Sequence, residues 1–251
     1  MTLSEIELKE KLQTTAQNKI RLSEKEDLSE LIPAMLSYIG STDSCLRESI
    51  YSAFRTWIVC SRALSPEQLR NLLPIILDER HMLYKIGEQD TDSVFTRSFS
   101  ILVLPLLLIN HRSHLLFSAP EINRIKEQLL YYLENEKDRR GFVPEKGWAH
   151  AIAHAADALD DLAQCAEMDK SDLAEILEAI RKVICIERAC YTHLEDERMV
   201  TAVIAVLGRN LLSDAEINQW IEGFSDLVLT INGGPEKHII RTNAKNFLQS
   251  L

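Results

Sequence analysis

LSELIPAML, residues 28–36, and LRNLLPIIL, residues 69–77, are one phrase written twice, 41 residues apart. Each places its leucines at helical spacing and a proline at the sixth position. A proline inside a helix removes a backbone hydrogen bond and kinks the rod. Finding it at the same place in two amphipathic segments predicts one structural unit used more than once. A second recurrence follows. DSCLRESIYSAF (43–54), DSVFTRSFSILV (92–103), KGWAHAIAHAAD (146–157), EDERMVTAVIAV (195–206) and PEKHIIRTNAKNF (235–247) each open a helix after a polar or glycine-containing turn. Arg47, Arg97 and Arg241 sit one turn into three of them. Helix starts are marked by Ser23 before Glu24–Glu26, Ser65-Pro66-Glu67, Asp90 or Asp92, Ala119-Pro120-Glu121, Asp169 or Ser171, Ser213-Asp214, and Pro235 after Gly233-Gly234. No segment alternates with period two for long enough to read as a strand. The expected fold is all-α: helix pairs stacked into a superhelix with a hollow side, as one domain over 1–251.

Composition agrees with a folded helical chain. Of 251 residues, 46% are hydrophobic, 26% charged and only 6% aromatic, with eight glycines. The net charge of −10 and the lack of a Lys/Arg cluster argue against nucleic acid, whose affinity depends on basic contacts. The five cysteines show no C-x-x-C spacing and read as thiols of a reducing compartment, so a cytoplasmic location is expected. The apolar run ILVLPLLLI (101–109) is too short to span a bilayer and reads as a buried helix, so no membrane partner is expected.

Chemistry concentrates in RGFVPEKGWAHAIAHAADALDDLA, residues 140–163. If a helix opens at Gly147, then His150, His154, Asp157 and Asp161 form one polar stripe, with Trp148, Ile152, Ala155, Leu159 and Leu162 on the opposite, packing face. Alanines at 149, 151, 153, 156 and 158 suit close approach by neighbours on both sides. Facing solvent, the stripe would line a groove with Arg47 and Arg97 and bind a peptide, protein or small polar ligand through directional hydrogen bonds. Arg97 could equally pair with Asp92. Two histidines at i, i+4 with an aspartate one turn on also suit a divalent transition metal, the only cofactor the pattern suggests. His150, His154 and Asp157 would then be the ligands of a hydrolase, with His193, Glu195 or Asp196 completing the set and Asp161 or Glu195 as general base. A hydrogen-bonded ladder within the fold accounts for the same residues without a ligand. Arg139, Arg140 and Lys146 lie beside backbone N–H groups of the expected helix start and form a candidate anion loop, unless they are a solvated turn in which Gly141 supplies positive φ. Phe142 and Trp148 are expected to plug the core.

The pairing of a proline-kinked helix with a helix entered through an acidic residue and an arginine resembles the HEAT/armadillo-type repeat. A narrower resemblance lies in Asp138-Arg139-Arg140-Gly141-Phe142-Val143, Lys146-Gly147-Trp148-Ala149-His150, His154-Ala155-Ala156-Asp157 and the acidic turn Glu195-Asp196-Glu197-Arg198. These look like the signature of a bacterial domain-of-unknown-function family, number 2785. That resemblance implies an all-helical, soluble, cytoplasmic protein and carries no activity with it.

Overall fold

The computed structural model describes residues 3–17, 28–230 and 234–251, and within them the chain is dominated by helix. The expected caps at Ser23 and Gly233 lie outside the described residues. In chain order the helices are α1 (Glu5–Gln17), α2 (Leu28–Ser37), α3 (Ser44–Arg55, running on into a π-type turn at Thr56–Cys60), α4 (Pro66–Ile76), α5 (Ser93–Ile101), α6 (Val103–His114) and α7 (Ala119–Asn135). A two-stranded hairpin, β1 (Phe142–Val143) and β2 (Gly147–Trp148), precedes α8 (Ala151–Ala163), α9 (Lys170–Ile184), α10 (Glu195–Gly208), α11 (Asp214–Thr230) and α12 (Pro235–Ser250).

Local chemistry explains the boundaries. Ser65 accepts from the Gln68 backbone N–H while the Gln68 side chain accepts from Ser65 N–H, a capping box that satisfies two orphan donors of α4. Asp169 does the same for α9 through Asp172, and Ser213 for α11 through Glu216. Pro33 and Pro74 fall inside α2 and α4. The apolar run 101–109 is not one helix: Pro105 offers no N–H to the Ile101 carbonyl, and the chain turns at Leu102 between α5 and α6. Among the described residues, Ser93–His114 is the stretch apolar and long enough to cross a membrane by composition, and 89% of that window is buried inside the fold.

α8 packs on α5 and on α10, and α10 packs on α12. α7 packs on α9 and α9 on α11. α8 also meets α6, α7 and α9, so it is enclosed on most sides. Alanines at 149, 151, 153, 155, 156, 158 and 163, all essentially inaccessible, make this possible by letting neighbouring backbones close in.

Two arginines expected in a groove hold the core together instead. Arg47 and Arg97 are both 0% exposed. Arg47 donates to the carbonyls of Ser41 (2.5 Å), Lys146 (2.6 Å) and Trp148 (3.2 Å), tying α3 to the hairpin, while its guanidinium lies 4.2 Å over the Phe95 ring. Arg97 forks onto Glu136 at 2.6 and 2.9 Å and gives its remaining hydrogens to Ser93 and to backbone carbonyls of the loop before α5. Its partner is Glu136, not Asp92. A guanidinium in a low-dielectric interior must be matched on every side, and these are, apart from Arg47 Nε.

Candidate functional site

The hairpin is built by the sequence between its strands. Val143-Pro144-Glu145-Lys146 closes a β-turn, with Lys146 N–H donating to the Val143 carbonyl at 3.1 Å, Pro144 in the second position and Glu145 at φ 66° in the third. Gly147 follows at φ 79°, where a side chain would also press on Ser44 and Arg47. Phe142 pairs with Trp148 across the ladder, so both rings leave the same face.

This hairpin moves the start of the helix. α8 opens at Ala151 and not at Gly147, with His150 as a left-handed cap at φ 47°. Trp148 is therefore off the helix altogether. It is 40% exposed and Phe142 52%, and the two meet edge to face at 5.1 Å. Neither plugs the core. Gly141 has no positive φ either; it is small because the His193 ring lies where a Cβ would stand, 2.3 Å from Nδ1.

The polar stripe separates into parts with different surroundings. His150 stacks on Trp148 at 4.2 Å, with His193 at 6.2 Å, and its Nε2 is enclosed without a hydrogen-bond partner. Burial, helped by the nearby Arg198 and His193, lowers its pKa to about 4, so the ring is neutral at pH 7. His154 is 5% exposed, packed edge-on to Phe99, and its Nδ1–H donates to the Ser98 carbonyl at 3.2 Å. Burial keeps it neutral as well. It does not face solvent, because one turn inside α8 the neighbours α5 and α10 have closed over the face that His150 still shows. Asp157 is gripped by Arg198 of α10, Nε on Oδ1 at 2.9 Å and Nη2 on Oδ2; burial nevertheless raises its pKa. Asp161 pairs with Arg112 at 2.6 Å, and burial pushes it up to about 6.

For a metal, the His154 tautomer leaves Nε2 unprotonated, but both oxygens of Asp157 are already used by Arg198. Glu195, 2% exposed, accepts from the His193 backbone N–H. Asp196 is half-buried at the start of α10. Among the described residues, the group of three ligand-type side chains whose donor atoms lie within 4.8 Å of one another is elsewhere: His111, Cys165 and Glu167. There the Phe117 N–H donates to His111 Nδ1 at 3.0 Å, which puts the ring proton on Nε2, facing Glu167 at 3.2 Å. That nitrogen is a donor to the carboxylate and has no lone pair to give an ion.

The anion loop likewise dissolves into separate contacts. Arg140 is held by Asp138 at 2.6 Å and Lys146 by Asp92 at 2.7 Å, and the N–H groups beside them belong to a hairpin instead of a helix start. Arg139 alone keeps an enclosed nitrogen, Nη1, without a partner. The surface left at the head of α8 is thus aromatic and imidazole: Phe142, Trp148, His150 and His193, beside the Asp157–Arg198 pair. Sequence reading missed Phe142, Trp148 and Arg198 as surface groups. The signal for the first two was the Pro-x-x-Gly turn between them, a hairpin mark even over a span too short for alternation.

A family model described as "Protein of unknown function (DUF2785)" matches residues 82–251, which include the hairpin and α8. No curated protein and no solved structure matches the chain.

Proposed function

We propose a function for a chain that belongs to the DUF2785 family: it is a non-catalytic binding module that engages a peptide or protein segment. The scaffold is taken as a HEAT/armadillo-like superhelix of helix pairs, with α5, α8, α10 and α12 as the inner row and α7, α9 and α11 as the outer one. The packing of α5 on α8, α8 on α10 and α10 on α12, and of α7 on α9 and α9 on α11, supports this reading. Recognition centres on Phe142, Trp148, His150 and His193, not on the full stripe His150, His154 and Asp157.

One observation carries the proposal. Two large aromatic rings stand 40% and 52% exposed on a hairpin whose backbone is pinned from beneath by Arg47. Exposed aromatics cost solubility, and rigid ones lose little entropy on binding, so such a pair marks a recognition surface. The neutral His150 ring and the neighbouring His193 ring add directional hydrogen bonding, and the half-exposed Asp157–Arg198 pair supplies charge at the rim. A metal-dependent hydrolase on His150, His154 and Asp157 finds no comparable support, since Arg198 occupies the carboxylate.

Selection of a displayed peptide library on the purified protein tests the reading. Enriched peptides should bind the native chain and lose about tenfold or more in affinity to Trp148→Ala, the scale of a hot-spot truncation. Enriched peptides that bind Trp148→Ala and Phe142→Ala as well as the native chain would overturn it.

A further inference from the structure

A groove apart from the Trp148 surface lies between α7 and α9. It holds about 700 Å³ along α9 from Ser171 to Val183 and reaches Ile186 beyond the helix end. At a rise of about 1.5 Å per residue its helical part is on the order of 18 Å long. Lys126, midway along α7, pairs with Asp172 at the start of α9 and ties the two helices together. Leu130, Leu133, Ala179, Val183 and Ile186 give the trough an apolar floor.

Its charges are unevenly spent. Glu175 and Glu178 on the rim are already neutralised, the first by Lys126 at 2.6 Å and the second by Arg181 at 2.5 Å. At the far end stand Lys137, Arg139 and Lys182. Lys137 donates to the Glu134 carbonyl at 2.7 Å, the ordinary work of a cation at a helix C-terminus. Arg139 does no such work: it makes no ion pair among the described residues, and its Nη1 is enclosed with no acceptor. An enclosed guanidinium nitrogen without a partner is rare, because desolvating it is costly.

The geometry points to a binding site for a single-chain amphiphile with a carboxylate head, the head on Arg139 and the alkyl chain along the α7–α9 floor. Arg139 lines the trough without an ion pair among the described residues, and a carboxylate is the partner a guanidinium prefers. An aliphatic tail fits an elongated apolar trough better than an acidic peptide does, because the floor of Leu130, Leu133, Ala179, Val183 and Ile186 offers no partner to a row of carboxylates. The site is independent of the Trp148 surface.

Calorimetric titration with laurate, kept below its micellar concentration, tests the assignment. The native chain should bind it saturably at one site, and Arg139→Gln should bind about tenfold more weakly, the loss expected for one charge-assisted hydrogen bond. Ala174 lies exposed on the trough, so Ala174→Trp should fold normally by circular dichroism and block the tail. Trp148→Ala should bind laurate like the native chain, which separates this site from the peptide surface. Dodecylammonium, of the same length and opposite charge, should bind the native chain weakly. No saturable heat with laurate, equal binding by Arg139→Gln, or equal binding of dodecylammonium would each overturn the assignment.

Discussion

The Arg97–Glu136 fork and the Arg198–Asp157 fork are the same chemistry in different surroundings. The first joins α5 to the segment after α7, and both of its side chains are 0% exposed. The second bridges α8 and α10 with its side chains 30% and 32% exposed. Inside, every remaining guanidinium hydrogen of Arg97 is claimed by Ser93 or a backbone carbonyl, so the pair can do nothing but hold the loop before α5 in place. At the rim, water competes and partners can exchange. The difference teaches where to look for function in this chain: its most polar interior residues are the least available ones, and binding falls to the half-exposed rings beside the second fork.

Breaking each fork sharpens the contrast. Arg97→Met strands a buried carboxylate and should cost about 3–5 kcal/mol. In a chain of this size that lowers the melting temperature by about 10 °C, read by thermal circular dichroism. Adding Glu136→Leu should recover much of it, because the desolvated charge is then gone. A melting point within a degree or two of the native one would mean that the interior fork is not holding the fold. Arg198→Ala, at the rim, should cost about 0.5–1 kcal/mol by urea unfolding. A loss as large as that of Arg97→Met would erase the distinction between the two regions.

A pH slope reads the rim from its imidazole. His150, lowered from 6.5 to about 4, refuses in the folded chain a proton that the unfolded chain accepts. Stability is therefore lost as pH falls from about 6.5 towards 4. Asp161 works the other way: raised from 3.8 to about 6, it holds more proton when folded, and stability rises as pH falls through that window. Subtracting the stability profile of His150→Gln from the native profile isolates the imidazole, and the difference should shrink as pH drops below 6.5. A difference flat from pH 7 to pH 4.5 would place His150 in water.

Much of the scaffold was legible because it rests on local rules. Ser65, Asp169 and Ser213 cap helices where their side chains reach the next turn's N–H groups, and no distant contact is needed to see it. The family was legible as well. The candidate site was less so, for three physical reasons. Helical spacing from Gly147 predicts a stripe through His150 and His154, but a four-residue turn at Pro144 begins a hairpin, and the helix starts four residues late. Burial is then set by neighbours that the local pattern does not contain: α5 covers His154, and the Ser98 carbonyl accepts a hydrogen bond from its Nδ1–H. Arg97 found Glu136 at a distance of 39 residues, where sequence reading offered only Asp92 nearby.

The two imidazoles of α8 give the most direct test. Urea unfolding of His154→Ala and His150→Ala, side by side, asks whether one turn of helix separates structure from recognition. His154→Ala should lose about 2–4 kcal/mol, from a core void and the lost hydrogen bond to the Ser98 carbonyl, while His150→Ala should lose no more than about 1 kcal/mol. Equal midpoints for the two variants, or a greater loss at His150, would contradict the account.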